Sequence, residues 1–253
     1  MPSIDINSDL AEGFGQYRCG DDDAMLAIVT SANVACGFHA GDPEIMARTF
    51  KIAKERGVTV GAHPGFPDLW GFGRRRIPFS IGEIERLFAY QLGAAQALAT
   101  YSGHRITYVK SHGALGNIAE TDPEVAGAIA RAVRAVDRSL AFLTIALSQQ
   151  ERSAAEAGLR TVAEIYADRG YDEAGHLIPR GQPGALIADP DEATGRVLAM
   201  IQAGAIVTAN GKHLPTAISS VCVHSDSPHA VETARRLRAR LAAAGVTIAS
   251  FAQ

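Results

Sequence analysis

The sequence predicts an α/β protein folded as one (β/α) barrel, and three observations carry that reading. Short β-branched or apolar runs alternate with longer helical patterns along the whole chain. The helical patterns have recognisable ends. Ionisable residues gather just where the short runs finish, as they do on the catalytic face of such barrels. The alternation implies parallel strands joined by right-handed crossovers. The number of runs, with no charge-rich break between them, favours a closed barrel over an open doubly wound sheet. No linker interrupts residues 1–253, so they are expected to form a single barrel domain.

Strands are expected over residues 4–10, 31–37, 59–62, 106–110, 141–146, 161–167, 205–209, 219–224 and 247–251. The first three begin near residues 4, 31 and 59, about one βα unit apart, without a sequence repeat. Between the runs, Asp42-Pro43 opens a helix that Gly57 stops. Ser80-x-x-Glu83 and Ser148-x-x-Glu151 are capping boxes closed by Gly103 and Gly158. Asp122-Pro123, Asp189-Pro190 and Ser227-Pro228 place proline near three further first turns, the last helix stopping at Gly245.

Composition narrows the function. With 47% hydrophobic and 20% charged residues, the chain can bury a substantial core and is not a disordered scaffold. A net charge of −3 gives no general drive toward nucleic acid or anionic membranes. No run approaches the ~20 apolar residues of a membrane span. Asp5 precedes any apolar run, so no signal peptide is read. Cys19, Cys36 and Cys222 lie far apart without a CxxC pair, arguing against a disulfide framework or thiolate zinc site. A soluble, cytoplasmic protein is the expectation.

The strand ends carry the chemistry. The first ends in Asn7-Ser8-Asp9, with Glu12 following; the second holds Asn33 and runs into His39 and Asp42. His63 ends the third, Lys110-Ser111-His112 the fourth, and Glu164 lies on the sixth before Asp168 and Arg169. The run over 219–224 ends in His224-Ser225-Asp226. One such histidine is usually a loop or packing residue, Asp42 reads first as a helix cap, and Asp168 as a tie for its loop. Six charged strand ends together are not explained that way. Lys110 stands out because the chain has only 4 lysines and an unpaired buried ammonium is costly. Asp9, Glu12 and Glu164 are its expected partners.

The standard nucleotide motifs are absent. Glu12-Gly13-Phe14-Gly15 is not GxGxxG, and Gly204 to Gly211-Lys212-His213 lacks the Walker A spacing. Gly71-Phe72-Gly73-Arg74-Arg75-Arg76, beside Trp70, is the best candidate anion-binding loop, with a solvated basic turn equally compatible with its composition. Asp9, His39, His63 and His224 offer ligand types suited to zinc or a similar ion, although no HExxH-like local pair supports them.

At these residues the chain resembles the LamB/YcsF family. The resemblance rests on residues 6–15 (INSDLAEGFG), 30–43 (TSANVACGFHAGDP), 61–68 (GAHPGFPD) and 71–75 (GFGRR). It continues through 109–115 (VKSHGAL), 167–171 (ADRGY) and 221–228 (VCVHSDSP), in order along almost the whole chain. Ser8, Ala11, Ser111, Gly116 and Ser225 stand where the family pattern leads us to expect cysteine, glycine, proline, tyrosine and glycine.

The resemblance implies a seven-stranded barrel of the glycoside hydrolase/deacetylase class. It also implies an activity: opening 5-oxo-L-proline to L-glutamate with ATP hydrolysis, in a 5-oxoprolinase where the chain works with two other subunits, B and C. An unstrained lactam is a poor electrophile, and phosphorylating its oxygen would couple cleavage to ATP. On that reading Asp9, Glu12, His63, Lys110, His112 and Glu164 are the candidate catalytic residues. Gly71, Gly73, Arg74 and Arg75 would hold ATP with Mg2+, and Asn33, His39, Arg169, His224 and Asp226 the substrate. An additional divalent metal would take Asp9, His39, His63 and His224. The competing expectations are a metal-dependent amide hydrolase or deacetylase of the same fold class, and a non-catalytic substrate-binding subunit.

Overall fold

The computed structural model describes residues 3–252. The chain begins with β1 (Ser3–Leu10), a short helix α1 (Asp22–Leu26) and β2 (Ser31–Ala35). Then follow α2 (Pro43–Glu55), β3 (Thr59–His63), α3 (Ile81–Tyr101), β4 (Ile106–Val109), α4 (Gly113–Thr121) and α5 (Pro123–Asp137). Next come β5 (Ala141–Ile145), α6 (Gln149–Glu156), β6 (Thr161–Tyr166), α7 (Pro190–Ala203) and a pair of short strands, β7 (Ala205–Val207) and β8 (His213–Pro215). The chain closes with β9 (Ser220–Cys222), α8 (Ala230–Ala243) and β10 (Thr247–Ile248).

Strands β1 to β6 and β9 pair in parallel in the order β1-β2-β3-β4-β5-β6-β9, and β9 pairs back onto β1, closing a seven-stranded barrel. The closing register sets Asp5 opposite Ser220 and Asn7 opposite Cys222. β10 adds two residues to the starting end of β1. The run expected as a strand over 205–209 is not a stave. Its first residues form β7, which pairs antiparallel with β8 outside the barrel. Helix starts follow the caps in the sequence: Asp42, Ser80, Asp122, Ser148 and Asp189 all accept first-turn N–H groups. The last helix starts later than Ser227-Pro228 suggests, with His229 at its N-cap. α1 and α4 had no signal; α4 follows His112 without a side-chain cap.

One apolar core fills the space between barrel and helices. A second, smaller cluster of Tyr108, Ala141, Leu143 and Val162, packed against Phe251, lies apart from it. Gly61 of β3 faces Tyr108: a Cβ there would fall inside van der Waals contact with the ring. Gly61→Ala is therefore expected to destabilise the fold by roughly 1–3 kcal/mol, read as a lowered denaturant midpoint. An unchanged midpoint would show that the ring yields freely.

Asp5 is 1% exposed and accepts hydrogen bonds from the hydroxyls of Ser220, Ser31 and Thr30. Burial outweighs those bonds and raises its pKa from an ordinary 3.8 to about 6. A raised folded value means that the folded chain binds this proton more tightly than the unfolded one. The stabilisation is thus complete below about pH 4 and lost as pH rises through about 6, on the order of 3 kcal/mol in all. Asp5→Asn should gain stability relative to the parent between pH 4 and pH 7, read by urea unfolding at both values. A pH-independent difference would contradict this.

Candidate active site

The inward side chains of β1 run Asp5, Asn7, Asp9 toward the barrel's carboxyl end, because alternate strand residues share a face. Asn33 on β2 donates to Asn7 and to Asp9 Oδ1, both at 2.7 Å, and accepts from the Tyr108 hydroxyl at 2.6 Å. Asn7 in turn donates to Glu164 at 3.2 Å. This polar layer holds Lys110, 2% exposed, whose ammonium lies 3.0 Å from Asp9 Oδ1 and 3.2 Å from Glu164. It also lies 3.0 Å from Cys222 Sγ. Lys110 meets the expected partners Asp9 and Glu164, while Glu12 is held by histidines instead. With its donors taken by protein groups, its ammonium acts chiefly to hold the two carboxylates. Burial pulls its pKa down, but the charges around it win and hold it well above the ordinary lysine range.

The two site carboxylates are driven apart. Burial would push Asp9 up, but the neighbouring His63 imidazole and the Lys110 ammonium outweigh it and hold Asp9 well below the carboxylate range. Burial, followed by the charges of Asp9 and Asp226, pushes Glu12 well above that range. Glu12 Oε1 lies 3.2 Å from His39 Nε2 and 3.3 Å from His112 Nδ1. The His39 and His112 rings stack, with centroids 3.5 Å apart. Burial draws both imidazoles well below their ordinary range.

Across the mouth, His224 is anchored by Asp168, whose carboxylate oxygens both lie 2.9 Å from Nδ1. Nδ1 must donate there, so Nε2 faces inward, 4.0 Å from Asp9 Oδ2. Burial alone would raise Asp168; the neighbouring His224 holds it below the ordinary range instead. Tyr166 stacks on the His224 ring and donates to Glu164 at 2.9 Å. A cavity of about 250 Å³ opens here, lined by Asp9, His63, Lys110, Tyr166 and His224 at depth and by Arg74 and Arg180 above.

The structure brings Asn33, Asp9, Glu12, His39, His63, Lys110, His112, Glu164 and His224 into one buried group. The remaining candidates lie around this group or away from it. Arg75 is neutralised by Asp68, which also accepts from Gly71 N at 2.9 Å, so the arginine loop is an internally paired turn at that point. Gly73 packs its left-handed backbone against His39 and His112, a close approach that a Cβ would block. Arg74 pairs with Asp226 at 2.6 Å and lies over the Phe72 ring. Arg169 also lines the cavity, yet its guanidinium is committed to the carbonyls of Ala185 and Ile178, fastening its loop.

Sequence reasoning missed Arg180 and Tyr166, and gave Asp168 only a loop role. Arg180 sits in a long loop without any motif around it. A strand tyrosine reads as packing, so nothing in the local pattern could have singled either out. The departures from the family pattern also have places. Ser8 Oγ donates to Val223 O at 2.6 Å, away from the site. Ala11 adopts φ +59°, left-handed backbone that suits the glycine expected there. Gly116 lines the cavity with no side chain, and Ser111 presents an unpaired buried hydroxyl. Ser225 Oγ is likewise unpaired.

A closed parallel barrel with its charged groups at the carboxyl ends of the staves defines a (β/α)7 protein of deacetylase-like fold. A solved deacetylase structure has TM-score 0.50 to it at 12% identity over 98% of this chain and 87% of that one, a likeness of fold alone. The chain belongs to the LamB/YcsF family, whose model matches residues 4–253. It is 68% identical, over 100% of both chains, to a protein of Azorhizobium caulinodans named as the A subunit of 5-oxoprolinase. It is 41% identical, with TM-score 0.92, to a lactam utilization protein from Thermus thermophilus, covering 98% of this chain and 100% of that one. No helix among the described residues is long and apolar enough to cross a membrane.

Proposed function

We propose that this chain opens the lactam of 5-oxo-L-proline to L-glutamate, as the A subunit of a 5-oxoprolinase that spends ATP with partner subunits B and C. The family and its relatives' names support the substrate. The observation that carries the chemistry is the pairing of an Asp168-anchored His224 with the free Oδ2 of Asp9 across the floor of a small cavity.

His224 Nε2 takes the proton of a water that Asp9 Oδ2 orients toward the lactam carbon. The proton then passes to the ring nitrogen as the C–N bond breaks. Asp168 keeps the imidazole in the tautomer that leaves Nε2 free, and Lys110 keeps Asp9 ionised. Arg180, whose Nη2 lies 3.5 Å from His224 Nε2, turns to the substrate carboxylate at the mouth and so leaves Nε2 to the water. ATP with Mg2+ supplies the driving force. Its γ-phosphoryl goes to the lactam oxygen, one water opens the ring, and a second releases phosphate from the resulting acyl phosphate. The products are glutamate, ADP and phosphate. The cavity has the scale of the small acid, so the nucleotide approaches from above it, past Arg74 and Arg180.

The test is glutamate release from 5-oxoproline, with and without ATP, by this chain alone and with subunits B and C. Release only in the complete mixture with ATP supports the reading, and no release in any mixture of folded proteins overturns it. The cluster of Asp9, Glu12, His63 and His112 favours one second reading, a metal-dependent amide hydrolase. Release by the chain alone, without ATP and lost to chelators, would select that reading.

A further inference from the structure

The His63 and His112 rings are held by opposite ends in a way that neutral imidazoles cannot satisfy. His63 Nδ1 lies 3.0 Å from the carbonyl of Lys110, and His112 Nε2 lies 2.7 Å from the carbonyl of Phe72. A carbonyl only accepts, so each of those nitrogens carries its ring's proton. The other two nitrogens, His63 Nε2 and His112 Nδ1, are then bare lone pairs, and they face each other 3.1 Å apart. Something positive belongs between them.

Two carboxylate oxygens converge on the same point. Asp9 Oδ1 lies 3.4 Å from His63 Nε2, and Glu12 Oε1 lies 3.3 Å from His112 Nδ1. Ligands of a tetrahedral zinc stand roughly 3.3 Å from one another, given metal–ligand bonds of about 2.0–2.1 Å. All four donor atoms lie within 4.8 Å of one another. The carbonyls of Lys110 and Phe72 are the acceptors that metal-bound histidines use to fix their tautomers.

Charge counting agrees. Asp9, Glu12 and Glu164 are 4%, 5% and 1% exposed, and among the described residues the only buried ammonium beside them is that of Lys110. Asp9 and Glu164 against one ammonium leave one uncompensated charge, and Glu12, kept protonated by burial, would supply a second on releasing its proton to a divalent ion. The ligand set differs from the one expected in the sequence. His39 stacks behind His112 and bonds Glu12, and His224 turns to Asp168. A second convergence of Asp9, Cys222 and His224 is less suited, because it offers a single imidazole and no facing pair of ring nitrogens.

We propose that Asp9, Glu12, His63 and His112 form a binding site for one divalent transition-metal ion of the zinc class. The site rests on donor geometry and charge, independently of the reaction proposed above. The experiment is metal analysis and calorimetric titration of chelator-stripped protein with Zn2+, alongside His63→Ala, His112→Ala and a surface control, Arg236→Ala. We expect about one ion per unaltered chain and per control chain, with binding weakened at least 100-fold in each histidine variant. Titration of the unaltered chain with Co2+ should give the visible absorption of a four-coordinate ion, a readout that needs no variant to fold. If the unaltered chain takes up neither Zn2+ nor Co2+, a shared proton holds the two histidines and the proposal fails. It fails equally if the folded histidine variants bind like the parent. Activity without metal uptake would sink this site alone; metal uptake without glutamate release would sink only the proposed reaction.

Discussion

Replacing Lys110 with methionine is expected to lower the unfolding free energy by about 3–5 kcal/mol, the range for removing one partner of a buried ion pair. The ammonium lies between Asp9 and Glu164, both buried. Methionine fills similar volume but leaves two carboxylates 4% and 1% exposed without their cation. Urea unfolding of Lys110→Met and of the double variant Lys110→Met/Glu164→Gln would check this. The double variant should recover part of the loss, because one uncompensated charge is gone. A single variant as stable as the parent, or a double variant no better than the single, would show that the pair is not what holds this layer.

The second large effect belongs to His224. On the proposed mechanism, His224→Gln should lower ATP-dependent glutamate release in the complete mixture by roughly 10²–10⁴-fold, the usual contribution of a general acid–base group. Its side chain sits at the mouth of the barrel and not in the apolar core, so the denaturant midpoint should stay close to the parent's. Asp168→Asn should fall in the same direction, because an amide no longer enforces the Nδ1–H tautomer that leaves Nε2 open to the cavity. Near-normal turnover in folded His224→Gln would remove this histidine from the reaction. A loss confined to KM would make it a binding group.

Much of the scaffold was legible because its signals are local. Asp42-Pro43, the Ser80 and Ser148 boxes, Asp122-Pro123 and Asp189-Pro190 act within one helical turn, and each starts its helix. The run at 205–209 shows the limit: its apolar character suits a stave and an outlying ribbon equally, and only the pairing partner decides. The site followed the same division. Charged strand ends placed Asp9, His63, Lys110, Glu164 and His224 on one face, since parallel staves all finish there. For Arg75 the sequence left an anion-binding loop and a solvated basic turn equally open, because its partner Asp68 is brought to it by a turn. Arg180 was missed because it reaches the cavity from a long loop.

By itself, then, the sequence determined the class of fold, the family and the inventory of polar groups, since periodicity, caps and residue type are properties of neighbouring residues. Pairing was decided only by the tertiary structure. Lys110 neutralises Asp9 and Glu164, His224 turns to Asp168, and His63 Nε2 and His112 Nδ1 meet 3.1 Å apart. Charge and proton positions depend on distances of a few ångströms between residues far apart in the chain. Closing the barrel is what sets those distances.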